Sequence, residues 1–345
     1  MEFGISMFGD LHIDPKSGKI QTTQERLQEM LEEIKLMDEI GLDYFGIGEH
    51  HRQDYAVSSP QILLASAASI TRNIKLGSAV SVLSSTDPVR LFQEFSMLDL
   101  LSNGRAEIMA GRGSFIESFP LFGYNLDDYD ALFEEKIGLL LELNRNPKVR
   151  WEGKFRAPLF DQDIYPRPSQ STLPVWIAAG GTPASVVRAG KLGLPLMIAI
   201  IGGSPQQFIP LFDLYKKVYQ EAGHDPKAMQ IGIHAHALFG TDVKTLDDYY
   251  FPLYAAQMDR IGKSRGWPAY SQQQYGYGKS TLGALFIGEP DAMVDKILQV
   301  QSMFGLTRFA AHMDVGAPAH KNIMEAIEIY GDKIIPKVKA ALRTD

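Results

Sequence analysis

The chain of 345 residues contains no cysteine. That absence removes disulfides, thiolate metal ligands and a cysteine nucleophile together, and it fits the reducing cytoplasm, the expected location. Charge of one sign is not concentrated either. With 34 Lys and Arg against 41 Asp and Glu, the net charge is -7, and no basic run interleaved with aromatics offers itself to a phosphate backbone, so nucleic acid is not an expected partner. Long hydrophobic runs are missing too. No stretch approaches the ~18 apolar residues of a membrane span, and the opening Phe3 to Phe8 has neither the charged region nor the apolar core of a leader, so no membrane partner is expected.

What is present is alternation. Short apolar runs are separated by longer segments of helical period, the pattern of βα units around a parallel sheet. Eight runs read as strands: Phe3 to Phe8, Tyr44 to Gly48, Ile74 to Val82, Ala106 to Gly111, Val175 to Ala179, Leu196 to Ile201, Ile231 to Phe239 and Arg308 to Met313. Each is continuously apolar, as expected of a strand covered on both faces. Between the first two, Leu27, Met30, Leu31, Ile34 and Met37 recur at helical spacing over Gln24 to Ile40, with Gly41 as a stop. No Gly-rich phosphate fingerprint follows the first strand and composition does not break along the chain. The expectation is therefore a closed (β/α)8 TIM barrel, one domain over 1–345, with loop insertions at 150–172 and 262–282. The second insertion carries Trp267, Tyr270, Tyr275 and Tyr277, and is expected to be a substrate-facing lid.

Chemistry-bearing residues collect where these runs end, which in parallel α/β enzymes is where sites are built. Gly48-Glu49-His50-His51 follows the second run, Gly111-Arg112-Gly113 the fourth, and Ala178-Ala179-Gly180-Gly181-Thr182 the fifth. Arg between glycines offers several donors where the backbone can approach a ligand closely, or it is an exposed turn. Free amides opening a helix form a phosphate seat, although a strand-to-helix turn capped by Thr182 before Pro183 explains the same letters. His50 and His51 are open to three readings: a base, a metal ligand, or a hydrogen-bonded wall. His234 and His236 alternate along one strand and share a face. With Asp10, His12 and His312 they leave a metal-dependent hydrolase as the rival reading. Against it, the third and sixth runs end in small residues that suit a large flat ligand better than a compact ion.

The sequence resembles the bacterial luciferase-like flavin-dependent monooxygenases. The likeness lies in Glu49-His50-His51, Leu76-Gly77-Ser78-Ala79-Val80, Asp87-Pro88-Val89-Arg90, and above all the run from Leu98 through Asn103-Gly104-Arg105 to Gly111-Arg112-Gly113. Gly288-Glu289-Pro290, Gly316 and Ile335-Pro336 extend it nearly to the end; Gly240 to Leu282 matches least. The resemblance implies a (β/α)8 barrel that binds FMN, as reduced flavin supplied by a separate reductase. It further implies O2 chemistry through a flavin peroxide on an aldehyde, alkane, sulfonate or similar small molecule. It places His50 as base, with Glu49 and His51 beside it. Ala79 and Val80 fall on an unusual cis peptide under the flavin ring, Gly111 on a position that is cysteine in luciferases, and Arg112 on a flavin contact; Ala178 to Thr182 would cradle the phosphate. A second phosphate-binding basic residue falls at about Asp130, so Tyr129 is the candidate to donate there instead. Gly111 is expected to open room near the flavin. Related barrels use the deazaflavin F420, so an F420-dependent oxidoreductase is the alternative within the superfamily; a homodimer or related oligomer is also expected.

Overall fold

A strand walled by helices outside and by side chains inside has no face left for water, so the apolar runs become strands. In the computed structural model, which describes residues 1–14, 17–113, 115–263 and 265–343, they are β1 (Glu2–Met7), β2 (Tyr44–Ile47), β3 (Lys75–Ser78), β4 (Ser81–Val82), β5 (Ala106–Gly111), β6 (Lys148–Trp151), β7 (Leu159–Asp163), β8 (Val175–Ala179), β9 (Leu196–Ala199), β10 (Ile231–Phe239), β11 (Phe286–Gly288) and β12 (Arg308–His312). The helices are α1 (Thr23–Glu39), α2 (Pro60–Ile70), α3 (Pro88–Ser102), α4 (Ser118–Leu121), α5 (Tyr129–Arg145), α6 (Pro183–Leu192), α7 (Ile209–Glu221), α8 (Val243–Lys263), α9 (Gln272–Lys279), α10 (Pro290–Phe304), α11 (His320–Ile329) and α12 (Ile335–Ala341). Local chemistry sets their ends. Thr22 and Glu25 form a capping box at α1, and Asp87 accepts from the amides of Val89 and Arg90 at 3.0 Å before Pro88 opens α3.

Parallel pairing runs from β12 through β1, β2, β3, β5, β8, β9 and β10 and back to β12, so the sheet closes as the expected (β/α)8 barrel. Within the third run, β3 stops at Ser78, a cis peptide joins Ala79 to Val80, and β4 resumes pairing with β5. The short β11, unforeseen from the sequence, pairs with the end of β10 outside the ring. Among the described residues no helix is long and apolar enough to cross a membrane.

The N-terminal end of the barrel is plugged. Arg308 is pressed between Tyr44 and Trp176, 4.4 and 4.2 Å from the ring centroids, and pairs with Glu2 and Glu107. The opposite end is left open.

Both stretches read as excursions have structure of their own. β6 and β7 form an antiparallel hairpin, and the chain after it is pinned by Asp99, which accepts from Ser169 and Gln170 amides at 2.8 and 3.1 Å. The lid expected at 262–282 is corrected. Its centre is α9, opened by a Ser271–Gln274 capping box. Tyr275 is buried 5.2 Å from Phe251 and 5.9 Å from Tyr254, ring to ring, and the Lys296 ammonium donates to the carbonyls of Gly278, Ser280 and Leu285. Tyr275 is thus spent on packing beside β10 and β11, whereas Trp267 and Tyr277 stay about half exposed. None of the described residues of that stretch lines the main cavity.

Candidate active site

A cavity of about 310 Å³ opens at the C-terminal end of the ring, the position where barrel strands deliver side chains from successive loops. Ala79, Val80, Met109 and Met197 give it an apolar floor; Phe8, Phe115 and Ala199 add apolar wall. Of the residues singled out from the sequence, Glu49, His50, Ala79, Val80, Gly111, Arg112, Gly113, Tyr129, Ala178, Ala179, Gly180 and Thr182 line it. His51 and Gly181 do not. His51 faces a neighbouring depression with Arg52, Asp54 and Glu117, and Gly181 supplies the turn instead, at φ +120°, where a side chain would be strained.

His50 is the most isolated polar group in this wall. Its ring stacks on Tyr55 at 4.4 Å, tilts against Phe8 at 4.5 Å and meets Phe115 edge-on at 5.2 Å. Its buried Nδ1 has no hydrogen-bond partner. Burial first, and then the nearby His312, push its pKa down to about 3. The imidazole is therefore neutral near pH 7, its Nδ1 enclosed by protein while the residue itself lines the cavity.

Glu49 is committed to architecture. One carboxylate oxygen accepts the Val82 amide at 2.9 Å and the other meets His51 Nε2 at 2.9 Å. It ties the loop after β2 to the segment that carries Ala79 and Val80, so it is a positioning group; the sequence could not show this because the tie spans two separate loops.

Gly111 corrects an expectation. It does not open space, because Val80 already fills it: a Cβ at Gly111 would lie 2.6 Å from Val80 Cγ2 and 2.9 Å from its Cβ. Glycine here is the complement of valine across the barrel wall. Arg112 reaches Asp130 as an ion pair and lies 5.0 Å from the Tyr129 ring. The Tyr129 hydroxyl donates to the Gly113 carbonyl at 2.6 Å. That proton, expected to serve a phosphate, is already used, and Asp130 holds Arg112 in place rather than standing in for a lost cation.

The Ala178–Thr182 segment stays open. Nothing lies within 4 Å of a Cβ built at Gly180, only Phe208 approaches Gly181, at 3.9 Å, and the Thr182 side chain makes no capping bond to α6. Such a helix start accommodates an anion. Further along α6, Arg188 pairs with Glu134 at 2.8 Å while its buried Nη1 has no partner; sequence reasoning had no signal for it.

The proposed metal set is taken apart by its own hydrogen bonds. His12 Nδ1 meets the Ala317 carbonyl at 2.7 Å and His236 Nδ1 the Tyr254 hydroxyl at 2.9 Å. His234 Nδ1 meets Ser6 Oγ, His234 Nε2 meets His312 Nδ1, and His312 Nε2 meets Asp314, each at 2.9 Å. An imidazole nitrogen sharing a proton with a neighbour has no lone pair for an ion. Asp10 accepts from Gly316 at 3.1 Å, and burial, followed by the Asp314 charge, raises its pKa well above the usual range. Among the described residues the group of three whose ligand atoms converge is Glu29, Glu33 and His320, which contains none of this set. His234 itself lines the cavity.

A family model described as luciferase-like monooxygenase matches residues 1–307. Over 200 residues the chain is 28% identical to the alkanal monooxygenase alpha chain of Photorhabdus laumondii subsp. laumondii, covering 55% of this chain and 53% of that one. Over 179 residues it is 31% identical to the F420-dependent glucose-6-phosphate dehydrogenase of Amycolatopsis mediterranei, covering 48% and 51%. The matches thus span about half the length of these two relatives. Among solved structures, monooxygenase RslO1 from Streptomyces bottropensis is 23% identical with a TM-score of 0.81, over 97% of this chain and 99% of that one. The oxygenating constituent of 3,6-diketocamphane monooxygenase from Pseudomonas putida, solved with FMN, is 17% identical with a TM-score of 0.75 over 98% and 99%. At those identities the structures speak for the fold.

Proposed function

The chain belongs to the luciferase-like monooxygenase family, and on that premise we propose that it uses reduced FMN and O2 to oxidise a small, largely apolar organic molecule. The observation that carries the reading is one continuous cavity, running from the neutral, unpartnered His50 across an apolar floor to the open start of α6. Reduced flavin, when bound, activates O2 and delivers one oxygen atom to the substrate, the other leaving as water.

The chain's own residues do the rest. Ala178 to Gly180 and Thr182 receive the phosphate at the start of α6, and Arg112, held by Asp130, supplies a fixed cation at the rim. Ala79, Val80, Met109 and Met197 offer a flat apolar surface that keeps water from the ring. His50, its ring held neutral by burial, is the base on the cavity wall. Glu49 and His51 orient that loop. The same reading has a flavin reductase as donor of reduced FMN, and the chain working in the cytoplasm as a homodimer or related oligomer.

The test is anaerobic titration of the purified chain with FMN, reduced FMN and reduced F420, followed by oxygen uptake with aldehydes, alkanes and sulfonates. Tighter binding of reduced than oxidised FMN, with substrate-dependent oxygen uptake, is the expected result. Binding of F420 alone replaces the reading by an F420-dependent oxidoreductase, and binding of neither cofactor rejects both.

A further inference from the structure

The side chains behind the cavity wall form a continuous hydrogen-bonded row, Ser6–His234–His312–Asp314. Asp314 is fully buried and accepts from the amides of Phe8 at 3.0 Å and Gly9 at 2.7 Å as well as from His312, with Arg26 3.6 Å away. Burial opposes its charge, yet the His312 hydrogen bond and Arg26 bring its carboxyl down to about 2. An ionised carboxylate only accepts. His312 therefore donates from Nε2. With no second proton on that ring it accepts at Nδ1, His234 donates from Nε2 and accepts at Nδ1, and the Ser6 hydroxyl donates to it. In that arrangement one carboxylate sets the tautomer of two rings and the direction of a hydroxyl.

We propose that His234 is a second proton-handling residue of this cavity, on the wall formed by β10, with His312 and Asp314 as the positioning residues that receive its charge. The inference rests on the proposed function for what occupies the cavity, and on the hydrogen-bond row for the rest. A proton leaving a cavity-bound group arrives at His234 Nδ1, through the Ser6 hydroxyl or in exchange for it. The Nε2 proton of His234 passes to His312 Nδ1. His234 ends neutral and His312 ends as imidazolium against the Asp314 carboxylate, so one proton has moved and total charge is conserved. The positive charge comes to rest one ring away from the apolar cavity, beside the anion that compensates it.

The surroundings favour that resting place. His234 and His236 have their pKa values pushed well down by burial first, and then by His312. His50, His236, Asp10 and Arg26 are the other titratable or charged groups facing the row. Phe8 stacks 5.8 Å from the His234 ring and lies 4.5 Å from His50, so the two proton-handling positions are separated by one aromatic ring.

Two measurements on the full chain test this. Nitrogen-15 NMR of the histidine-labelled, unliganded protein reads the tautomers: the row requires Nε2–H on both His234 and His312, with that bias lost in Asp314→Asn. Nδ1–H on either ring overturns the proposal whatever cofactor the protein uses. A pH profile of turnover that flattens in His234→Gln and in His312→Asn, with cofactor affinity by calorimetry retained, is the expected result. An unchanged profile in both variants overturns it. If neither reduced FMN nor reduced F420 binds, the function reading fails and the tautomers alone decide the row. Should Asp314→Asn not fold, His312→Asn supplies the same NMR comparison at His234.

Discussion

The two ends of this barrel treat polar groups in opposite ways. At the N-terminal end two arginines are answered: Arg308 has two carboxylates and two aromatic faces, and Arg105 donates to the carbonyls of Ser102, Ile74 and Thr71 at 2.8, 2.7 and 3.1 Å. At the C-terminal end, His50 Nδ1, Asp10 Oδ1 and the hydroxyl of Ser81 are buried without partners. Unpaired buried polar atoms cost roughly 1–3 kcal/mol each, and native structures leave few of them. The paired charges thus lie at the end that is plugged, and these three unpaired atoms at the end where the cavity opens.

That contrast is broken most severely from below. Arg308→Met strands Glu107 in the core, and because removing one partner of a buried pair costs ~3–5 kcal/mol, urea unfolding should show a loss of that size. A change under ~1 kcal/mol would mean that the plug is ornamental. At the upper end, His50→Ala should leave unfolding nearly unaffected while lowering substrate oxidation by ~10²-fold or more, the usual weight of a general base. Stability lost without loss of rate would reverse its assignment.

Gly111→Ala sharpens the comparison, because here the upper end is tightly packed. The new methyl meets Val80, so overpacking of ~1–3 kcal/mol is expected, and Val80→Ala in the same chain should recover most of it. Failure of the double variant to recover would show that the two residues do not share that space. The remaining test is in pH. His50, His234 and His236 are held neutral by burial, so only their unfolded forms take up protons below the ordinary value of 6.5. Their stabilising contribution is complete above that value and falls as pH drops toward the folded value, about 3 for His50, by ~1.4 kcal/mol per pH unit per group. His236→Phe should make the acid limb of a denaturation-versus-pH curve shallower; a steeper limb would contradict the burial argument.

The barrel was legible because its strands are buried on both faces and its helices on one, which writes two periods into the letters. The floor and rim were legible for a related reason: Ala79, Val80, Gly111 to Gly113 and Ala178 to Thr182 stand at strand ends, and strand ends in a parallel barrel face one way. The failures are equally specific. Tyr270 and Tyr275 looked like a lid, since an aromatic in a loop carries no mark of which neighbour it will bury against. Tyr129 looked free for a phosphate until its hydroxyl met Gly113, and Gly111 looked like open space until Val80 filled it. His234 was noticed as a candidate metal ligand, because alternation showed a shared face and nothing of the Ser6 and His312 bonds that occupy its two nitrogens.

The sequence by itself determined the closed parallel barrel, the end at which chemistry would sit, and the loops that reach it, since periodicity and chain order are properties of neighbouring residues. Only the tertiary structure decided which nitrogen bonds which oxygen. Ser6, His234, His312 and Asp314 are joined by hydrogen bonds between β1, β10, β12 and the segment after it. Hydrogen bonds depend on distance and angle at the scale of tenths of an ångström, and those are set by how the sheet closes, which no local pattern of letters encodes.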